Sequence, residues 1–354
     1  VDGYLYGRVG EDHFVVIADE DTFNEEYLYE CRETLQNVLS DSVYNVRVCF
    51  GIYRTDNMNE SLSFMCDKAS FAVASIKDDT HSFIAYYDDT MLEAAIKYKT
   101  IVDEFDDAIK AGEFKMYLQP QISAKTRRLT GAEALVRRIK PDGTIISPID
   151  FIPVYEKSGL ISRLDRYIWE QAAAKLGEWK KVGINMSISV NISPKDFYYI
   201  DIFNTFAGLI KKYDIEPSNL KIEITETTIM SDVPNLMGEL EELRKAGFTL
   251  EMDDFGSGYS SLNTLKDINV DVLKVDMGFI KETKNVKKSR IILASVIKMA
   301  KELNLLIITE GVETEEQVDN LTKLGCDVFQ GYYFSKAIDV NEFEKRYLYR
   351  KKAG

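Results

Sequence analysis

The sequence has few of the residues that build zinc sites and disulfide frameworks. Its 354 residues include two histidines, His13 and His81, and four cysteines without a CxxC pair. Scattered thiols are typical of a reducing compartment, so we expect all four to be free in a cytosolic protein. Both histidines lie within the first 81 residues, far from the acidic motifs described below. Any metal ion bound further along the chain therefore needs oxygen ligands, which favours Mg²⁺ or Mn²⁺ over zinc.

The sequence also lacks a long apolar run and an excess of positive charge. No run approaches the roughly 20 apolar residues that span a bilayer. The chain begins at Val1 without a recognisable signal peptide, so we expect a fragment of a longer cytoplasmic protein and leave open a membrane anchor or sensor region upstream. The net charge of −14 argues against binding a nucleic-acid polymer. A small anionic ligand held through metal ions remains compatible with that charge.

The length suggests two domains, and the sequence pattern changes near residue 113. Residues 1–88 predict a small α/β unit that opens with the hairpin LYGRVGEDHFVVI. Residues 89–112 have apolar residues at helical spacing and end at a glycine, which predicts a connecting helix. From residue 113 to 354, apolar strands alternate with amphipathic helices. The predicted strands are 115–122, 130–139, 184–192, 221–226, 248–254, 272–276, 305–311 and 327–334.

Eight strands separated mostly by helices predict a (β/α)8 barrel of the TIM type. The first two strands are joined by only a short turn, which favours antiparallel pairing and an irregular start to the barrel. The fold class expected from the sequence is therefore α/β, with a TIM-like barrel preceded by a small α/β domain.

Polar side chains follow the predicted strands to the end where TIM barrels carry their active sites. Seven of the eight strands bring an oxygen ligand or a lysine to that rim: Glu133, Asn191, Glu223 with Glu226, Asp253 with Asp254, Lys274, Glu310 and Gln330. Grouped carboxylates oppose folding unless cations neutralise them. The adjacent Asp253 and Asp254, followed by a glycine-rich turn, favour a site in which a carboxylate bridges two metal ions.

These motifs resemble the EAL domain, a bacterial phosphodiesterase that hydrolyses cyclic di-GMP. The resemblance covers about 240 residues and is carried by GAEALVR (131–137), SVNIS (189–193), IEITE (222–226), DDFGSGYSSL (253–262), LKVD (273–276), TEGVET (309–314) and QGYYFSK (330–336). It implies a cytoplasmic bacterial enzyme that yields linear 5′-pGpG with two Mg²⁺ or Mn²⁺ ions. It also implies a homodimer formed through the EAL domain.

The resemblance further implies a role for each residue at the rim. The implied metal ligands are Glu133, Asn191, Glu223, Asp253, Asp254 and Glu310. The implied catalytic residues are Glu133, Lys274, Glu310 and Asp254, with Lys274 beside the attacking water. The implied substrate contacts are Gln119, Leu135, Arg137, Glu313 and Gln330. Glu226 matches the glutamate that anchors the DDFGSG loop, which the family also uses at its dimer interface.

The chain departs from the family pattern without losing a metal ligand. Ser257 replaces a threonine, and Arg138 stands where an aromatic residue is frequent. Glu251 stands where the family commonly has a small residue. Because Glu251 shares a strand face with Asp253, we expect it to point into the barrel, to need a partner and to perturb the metal site.

The N-terminal segment RVGEDHF (8–14) resembles the R-x-G-G-D-E-F hairpin of the GGDEF domain, the diguanylate cyclase fold. Glu11 occupies the second glycine position and His13 the glutamate position, and the earlier half of that fold is absent from this chain. We interpret residues 1–88 as a truncated, degenerate GGDEF-like domain without cyclase activity.

Two alternatives to hydrolysis remain open at this stage. One is a receptor that binds cyclic di-GMP without cutting it, although such proteins usually lose part of the acid set. The other is a different metal-dependent barrel of the enolase type, which also combines a lysine with acidic metal ligands. The doubled aspartate and its glycine-rich loop argue against the latter.

Overall fold

The structure is a computed structural model with two compact units, Val1–Asp103 and Glu104–Gly354. It describes residues 4–10, 12–39, 47–55, 57, 59–77, 79, 81–231, 233–256, 265–266, 268–278 and 286–349. Glu11 and Ser257 lie outside these ranges. Across the described ranges, every helix is too short or too polar to cross a membrane.

The N-terminal unit contains the predicted hairpin and a two-stranded parallel sheet. Strands β1 (Leu5–Gly10) and β2 (His13–Ile17) pair antiparallel, and helix α1 (Glu26–Leu39) follows. Strands β3 (Phe50–Ile52) and β4 (Ile84–Tyr86) pair in parallel, and helix α2 (Leu62–Ser75) connects them in the chain. This order agrees with the small α/β unit that the sequence predicted, beginning with the hairpin.

Two helices occupy the segment for which a single connecting helix was expected. Helix α3 spans Asp89–Asp103 and helix α4 spans Phe105–Lys110. The interruption at Glu104 falls where the two compact units divide. The Glu104 carboxylate pairs with Arg138 of the barrel unit, so this residue has a tertiary partner that helical periodicity does not reveal.

Eight strands of the second unit close into a barrel, which confirms the predicted fold class for this part of the chain. They are β5 (Phe114–Ser123), β6 (Leu129–Ile139), β8 (Ile188–Ile192), β9 (Leu220–Thr225), β10 (Leu250–Asp253), β11 (Val272–Asp276), β12 (Leu306–Glu310) and β13 (Val328–Phe329). Strand β5 pairs antiparallel with β6, as the short first turn suggested, and it also pairs antiparallel with β13. The remaining neighbours are parallel.

Helices connect most of the strands after β6, and a last short helix follows β14. They are α5 (Pro148–Ser158), α6 (Ile161–Lys181), α7 (Asp196–Tyr199), α8 (Ile202–Tyr213), α9 (Glu226–Met230), α10 (Leu236–Lys245), α11 (Val286–Glu302), α12 (Glu315–Leu324) and α13 (Val340–Phe343). The short strand β7 (Ile145–Ile146) pairs antiparallel with β6, and the short strand β14 (Ile338–Asp339) pairs antiparallel with β5. Apolar strand residues such as Ile188 and Val190 are fully buried, and alternation turns the polar residues of the same strands inward.

The eighth strand was predicted too long. The sequence pattern suggested residues 327–334, but only Val328 and Phe329 belong to the sheet. Gly331 lies so close to the Val312 backbone that a Cβ atom there would come 2.2 Å from the Val312 carbonyl oxygen. This close approach, at a φ of +156°, directs the chain out of the sheet immediately after Gln330.

Arg138 provides a stability prediction at the outer wall of the barrel. Its side chain is 3% exposed and lies 2.7 Å from Glu104 and 2.9 Å from Glu113. We expect Arg138→Met to lower the free energy of unfolding by about 3–5 kcal/mol, because it leaves two carboxylates without their buried cation. Urea unfolding measures the change. The control Arg346→Met removes an exposed pair with Glu342 and should cost less than about 1 kcal/mol; equal losses would contradict the assignment.

Candidate active site

The barrel gathers a ring of polar side chains at the C-terminal ends of its parallel strands. Cross-strand register places Asn191 of β8 opposite Glu223 of β9, and Asp276 of β11 opposite Glu310 of β12. Because side chains alternate along a strand, these positions and their equivalents on the other strands share the inward face. The rim predicted from the sequence is therefore a single cluster in space, and Lys274 is at its centre.

The Lys274 ammonium contacts four carboxylates. Its Nζ lies 2.8 Å from Glu310, 2.9 Å from Glu223, 3.2 Å from Asp253 and 3.6 Å from Glu133. The side chain is fully buried. Burial opposes the charged form, but the surrounding carboxylates outweigh that effect and raise the pKa of Lys274 well above its usual value. The lysine therefore stays protonated at physiological pH.

One ammonium does not neutralise this cluster. Burial, and then the charge of Glu133, raises the pKa of Glu223 well above its usual range, although Lys274 opposes the shift. Burial also raises the pKa of Glu310 to about 8, with Lys274 again opposing and Asp253 adding to the rise. Partial burial and the neighbouring Asp253 raise the pKa of Asp254. Burial is the largest cause of each shift, and the neighbouring carboxylates add to it.

The donor chemistry of the cluster fits divalent metal ions. In the part of the chain that the structure describes, the buried Oε1 of Glu223 has no hydrogen-bond partner, which is costly unless a cation binds there. Carboxylate and amide oxygens are the ligands of Mg²⁺ and Mn²⁺. Among the described residues, no three acidic, histidine or cysteine side chains already surround a common ion position. The carboxylates converge on Lys274 instead.

Two amide side chains hold Glu133, and one of them is linked to two further amides on β5. Its Oε2 accepts a hydrogen bond from Gln330, and its Oε1 accepts one of 3.4 Å from Asn191. Gln330 also donates to Gln119 and accepts from Gln121, each at 3.3 Å. Gln121 was not among the site residues predicted from the sequence. Its position two residues after Gln119 on β5 was the available signal, because both share the inward face.

The Asp253–Asp254 pair marks the end of β10. Asp254 has a φ of +55°, and its backbone N–H donates to the Asp253 carboxylate at 2.8 Å. Glu226 is 1% exposed and accepts a 3.3 Å hydrogen bond from the Gly256 N–H. The structure thus joins Glu226 to the start of the DDFGSG turn. The rest of that loop, residues 257–264, lies outside the described residues.

The residues expected to contact the substrate lie in three parts of the barrel mouth: the amide network, the inward face of β6 and the loop before α12. Gln119 and Gln330 belong to the amide network, whereas Leu135 and Arg137 continue the inward face of β6 beyond Glu133. Arg137 is half-buried, and its guanidinium carbon lies 5.9 Å from the centre of the Tyr117 ring. Burial lowers the pKa of Arg137. Glu313 is exposed in the loop before α12, away from the strand face that the others share.

Glu251 has two partners inside the barrel. The carboxylate is fully buried, accepts a 2.9 Å hydrogen bond from Ser189 and lies 2.8 Å from the Lys221 ammonium. An inward side chain in need of a partner was expected at this position, but Lys221 was not predicted as that partner. Alternation along β9 places Lys221 on the same face as Glu223, but its pairing with Glu251 depends on the register between β9 and β10.

Comparisons with known proteins place this geometry in a family. Residues 102–337 match the family described as EAL domain. The chain is 31% identical over 350 residues to the signaling protein YkoW of Bacillus subtilis (strain 168), covering 97% of this chain and 44% of that protein. It is 36% identical over 252 residues to the probable cyclic di-GMP phosphodiesterase PdeG of Escherichia coli (strain K12), covering 69% and 48%. The chain thus spans about half the length of these relatives or less.

A solved structure shares the barrel. The PaMucR phosphodiesterase in complex with c-di-GMP superposes with a TM-score of 0.65 and 32% sequence identity, covering 69% of this chain and 99% of that chain. The family match, the closed barrel with one antiparallel strand and the rim of acids around a buried lysine agree with one another. The chain belongs to the EAL family.

Proposed function

We propose that this chain hydrolyses cyclic di-GMP to linear 5′-pGpG. The observation that carries the proposal is the buried Lys274 ammonium inside a ring of carboxylates at the mouth of the barrel. The names of its relative PdeG and of its structural neighbour PaMucR, solved in complex with c-di-GMP, support the choice of substrate.

The rim would hold two divalent cations, Mg²⁺ or Mn²⁺. Glu133, Asn191, Glu223 and Asp253 would hold the first, and Asp253 together with Asp254 the second, with Glu310 completing the metal site. When bound, such a pair lowers the pKa of water and neutralises charge on a phosphodiester. The amide network supports this arrangement, because Gln330 and Asn191 fix both oxygens of Glu133.

Lys274 would stabilise the negative charge that develops during phosphodiester cleavage. Its proton stays on Nζ, and its burial removes the screening that water would provide. A charge fixed in place before the reaction is worth most in such a setting. Among the catalytic residues proposed here, Glu133, Glu310 and Asp254 would act with Lys274 by holding the cations and orienting the attacking water.

The mouth of the barrel would bind the nucleotide. Gln119 and Gln330 would contact the substrate above Glu133, while Leu135 and Arg137 extend from the same strand towards solvent. Arg137 brings a positive charge to an otherwise acidic rim and suits an anionic ligand. Glu313 would contribute from the loop that follows β12.

The rest of the proposal concerns the whole protein. We divide the chain into a truncated, degenerate GGDEF-like domain (1–88), a connecting helical segment (89–112) and the EAL domain (113–354). We further propose a bacterial cytoplasmic location, a homodimer through the EAL domain, and a sensor or membrane segment upstream. The pairing order of β1 to β4 supports a small α/β domain.

Chromatography of the nucleotide products tests the proposal. The protein is incubated with cyclic di-GMP after chelation and again after Mn²⁺ is restored, beside Glu133→Ala. We expect linear 5′-pGpG only from the wild type with Mn²⁺. Tight binding of a nucleotide that stays intact would favour the alternative, a cyclic di-GMP receptor without activity.

Glu226 gives a graded prediction for the DDFGSG turn. Glu226→Ala removes the acceptor of the Gly256 N–H, and we expect kcat to fall by about 10²-fold because small displacements of reacting groups are costly. Glu226→Gln keeps an acceptor oxygen and should recover part of the loss. Steady-state kinetics measure both variants, with Glu242→Gln on the exposed face of α10 as control. Equal losses in the two Glu226 variants would contradict an anchoring role.

A further inference from the structure

Directly beneath the rim lies a second polar layer, formed by Ser189, Lys221 and Glu251. The Glu251 carboxylate bridges the other two, with 2.9 Å to the Ser189 hydroxyl and 2.8 Å to the Lys221 ammonium. Ser189 and Glu251 are fully buried, and the Lys221 side chain is 18% exposed. We call these three residues the inner layer.

The inner layer is in register with the proposed ligands of the first ion. Ser189 precedes Asn191 by two residues on β8, Lys221 precedes Glu223 on β9, and Glu251 precedes Asp253 on β10. A spacing of two residues keeps side chains on the same face of a strand. Each member of the inner layer therefore precedes a proposed ligand by two residues on the same face of its strand. This holds for three of the four proposed ligands of the first ion, Asn191, Glu223 and Asp253.

The contacts of the inner layer join three neighbouring strands. Ser189 pairs with Lys221 in the β8–β9 register, and Glu251 pairs with Glu223 in the β9–β10 register. Side-chain bonds from Glu251 to β8 and β9 add to these backbone pairings. Strand ends joined in this way keep the spacing between Asn191, Glu223 and Asp253 fixed.

The charges of the inner layer balance as well. A buried carboxylate needs a close cation, and Lys221 provides one for Glu251. If Glu251 alone were neutralised, the Lys221 ammonium would be left uncompensated below the rim. A bare positive charge at that position repels a divalent cation bound above it.

We propose that the inner layer positions the ligands of the first metal ion and balances the charge beneath them, so that it sets the affinity of the rim for divalent cations. Ser189, Lys221 and Glu251 are positioning residues, because they act through Asn191, Glu223 and Asp253. This inference deepens the proposed function and rests on its metal site.

Calorimetric titration with Mn²⁺ alone, without nucleotide, tests the inference. We expect Glu251→Gln to weaken the tighter Mn²⁺ site by about 10- to 100-fold, as is common when residues that support metal ligands are changed. The double variant Lys221→Met with Glu251→Gln removes both charges and should recover at least part of that loss. Glu241→Gln on α10 makes the same change in net charge far from the rim and should leave the affinity unchanged.

Ser189→Ala keeps the test decisive if Glu251→Gln does not fold. It removes one hydroxyl and should weaken Mn²⁺ binding several-fold with little change in melting temperature. Unchanged Mn²⁺ affinity in the folded variants, with or without a lower melting temperature, would overturn the inference. A wild type that binds no Mn²⁺ would overturn it too. If the expected losses in affinity occur but no 5′-pGpG forms, the inference stands and the proposed function fails.

Discussion

Lys274→Met is expected to lower kcat for cyclic di-GMP hydrolysis by about 10²- to 10³-fold, the loss that follows removal of a fixed charge from a transition state. The ammonium is fully buried and lies within 3.6 Å of four carboxylates, so water does not replace its charge. Steady-state kinetics in saturating Mn²⁺ measure the effect.

The same substitution should separate catalysis from stability. Without metal, Lys274→Met leaves buried carboxylates uncompensated, and we expect the melting temperature to fall. Adding Mn²⁺ should restore much of it, because bound cations stabilise the folded state. The control Lys298→Met changes an exposed lysine of α11 and should alter neither property. Wild-type turnover by Lys274→Met would contradict the role given to this lysine.

Glu133→Gln is expected to lower kcat by at least about 10³-fold. Glu133 contacts Asn191, Lys274 and Gln330, and it is a proposed ligand of the first ion. Divalent ions contribute several kcal/mol to such reactions, and each 1.4 kcal/mol corresponds to a factor of ten in rate. The substitution preserves size, so the barrel should fold normally. Product formation over time measures the loss.

The control for Glu133→Gln is Glu302→Gln, which makes the same chemical change on an exposed side chain at the end of α11. We expect wild-type turnover from the control and a melting temperature near that of the wild type from both variants. A Glu133→Gln protein that retains a tenth or more of the wild-type rate would contradict the assignment of Glu133 as a ligand.

The rim could be predicted from the sequence because two local rules determine it. Alternation along a strand gives the inward face, and the order of strands and helices gives the end at which the active site lies. Glu133, Asn191, Glu223, Asp253 and Lys274 follow from these rules alone. Their contacts confirm that the strand ends come together.

Features that depend on contacts between strands could not be predicted in the same way. The partnership of Glu251 with Lys221 requires the register of β9 against β10, which periodicity within one strand does not contain. The early end of β13 comes from the packing of Gly331 on the backbone of a distant loop. The gathering of four carboxylates around the Lys274 ammonium is likewise a property of the closed barrel.

Anomalous diffraction from crystals grown with Mn²⁺ and cyclic di-GMP is the most direct measurement. We predict two Mn²⁺ peaks about 3.5–4 Å apart. One should lie among Glu133, Asn191, Glu223 and Asp253, and the other beside Asp253 and Asp254. A crystal with bound nucleotide but without Mn²⁺ at the rim would contradict the account if the carboxylates around Lys274 were still in contact with its ammonium. Those carboxylates are Glu133, Glu223, Asp253 and Glu310.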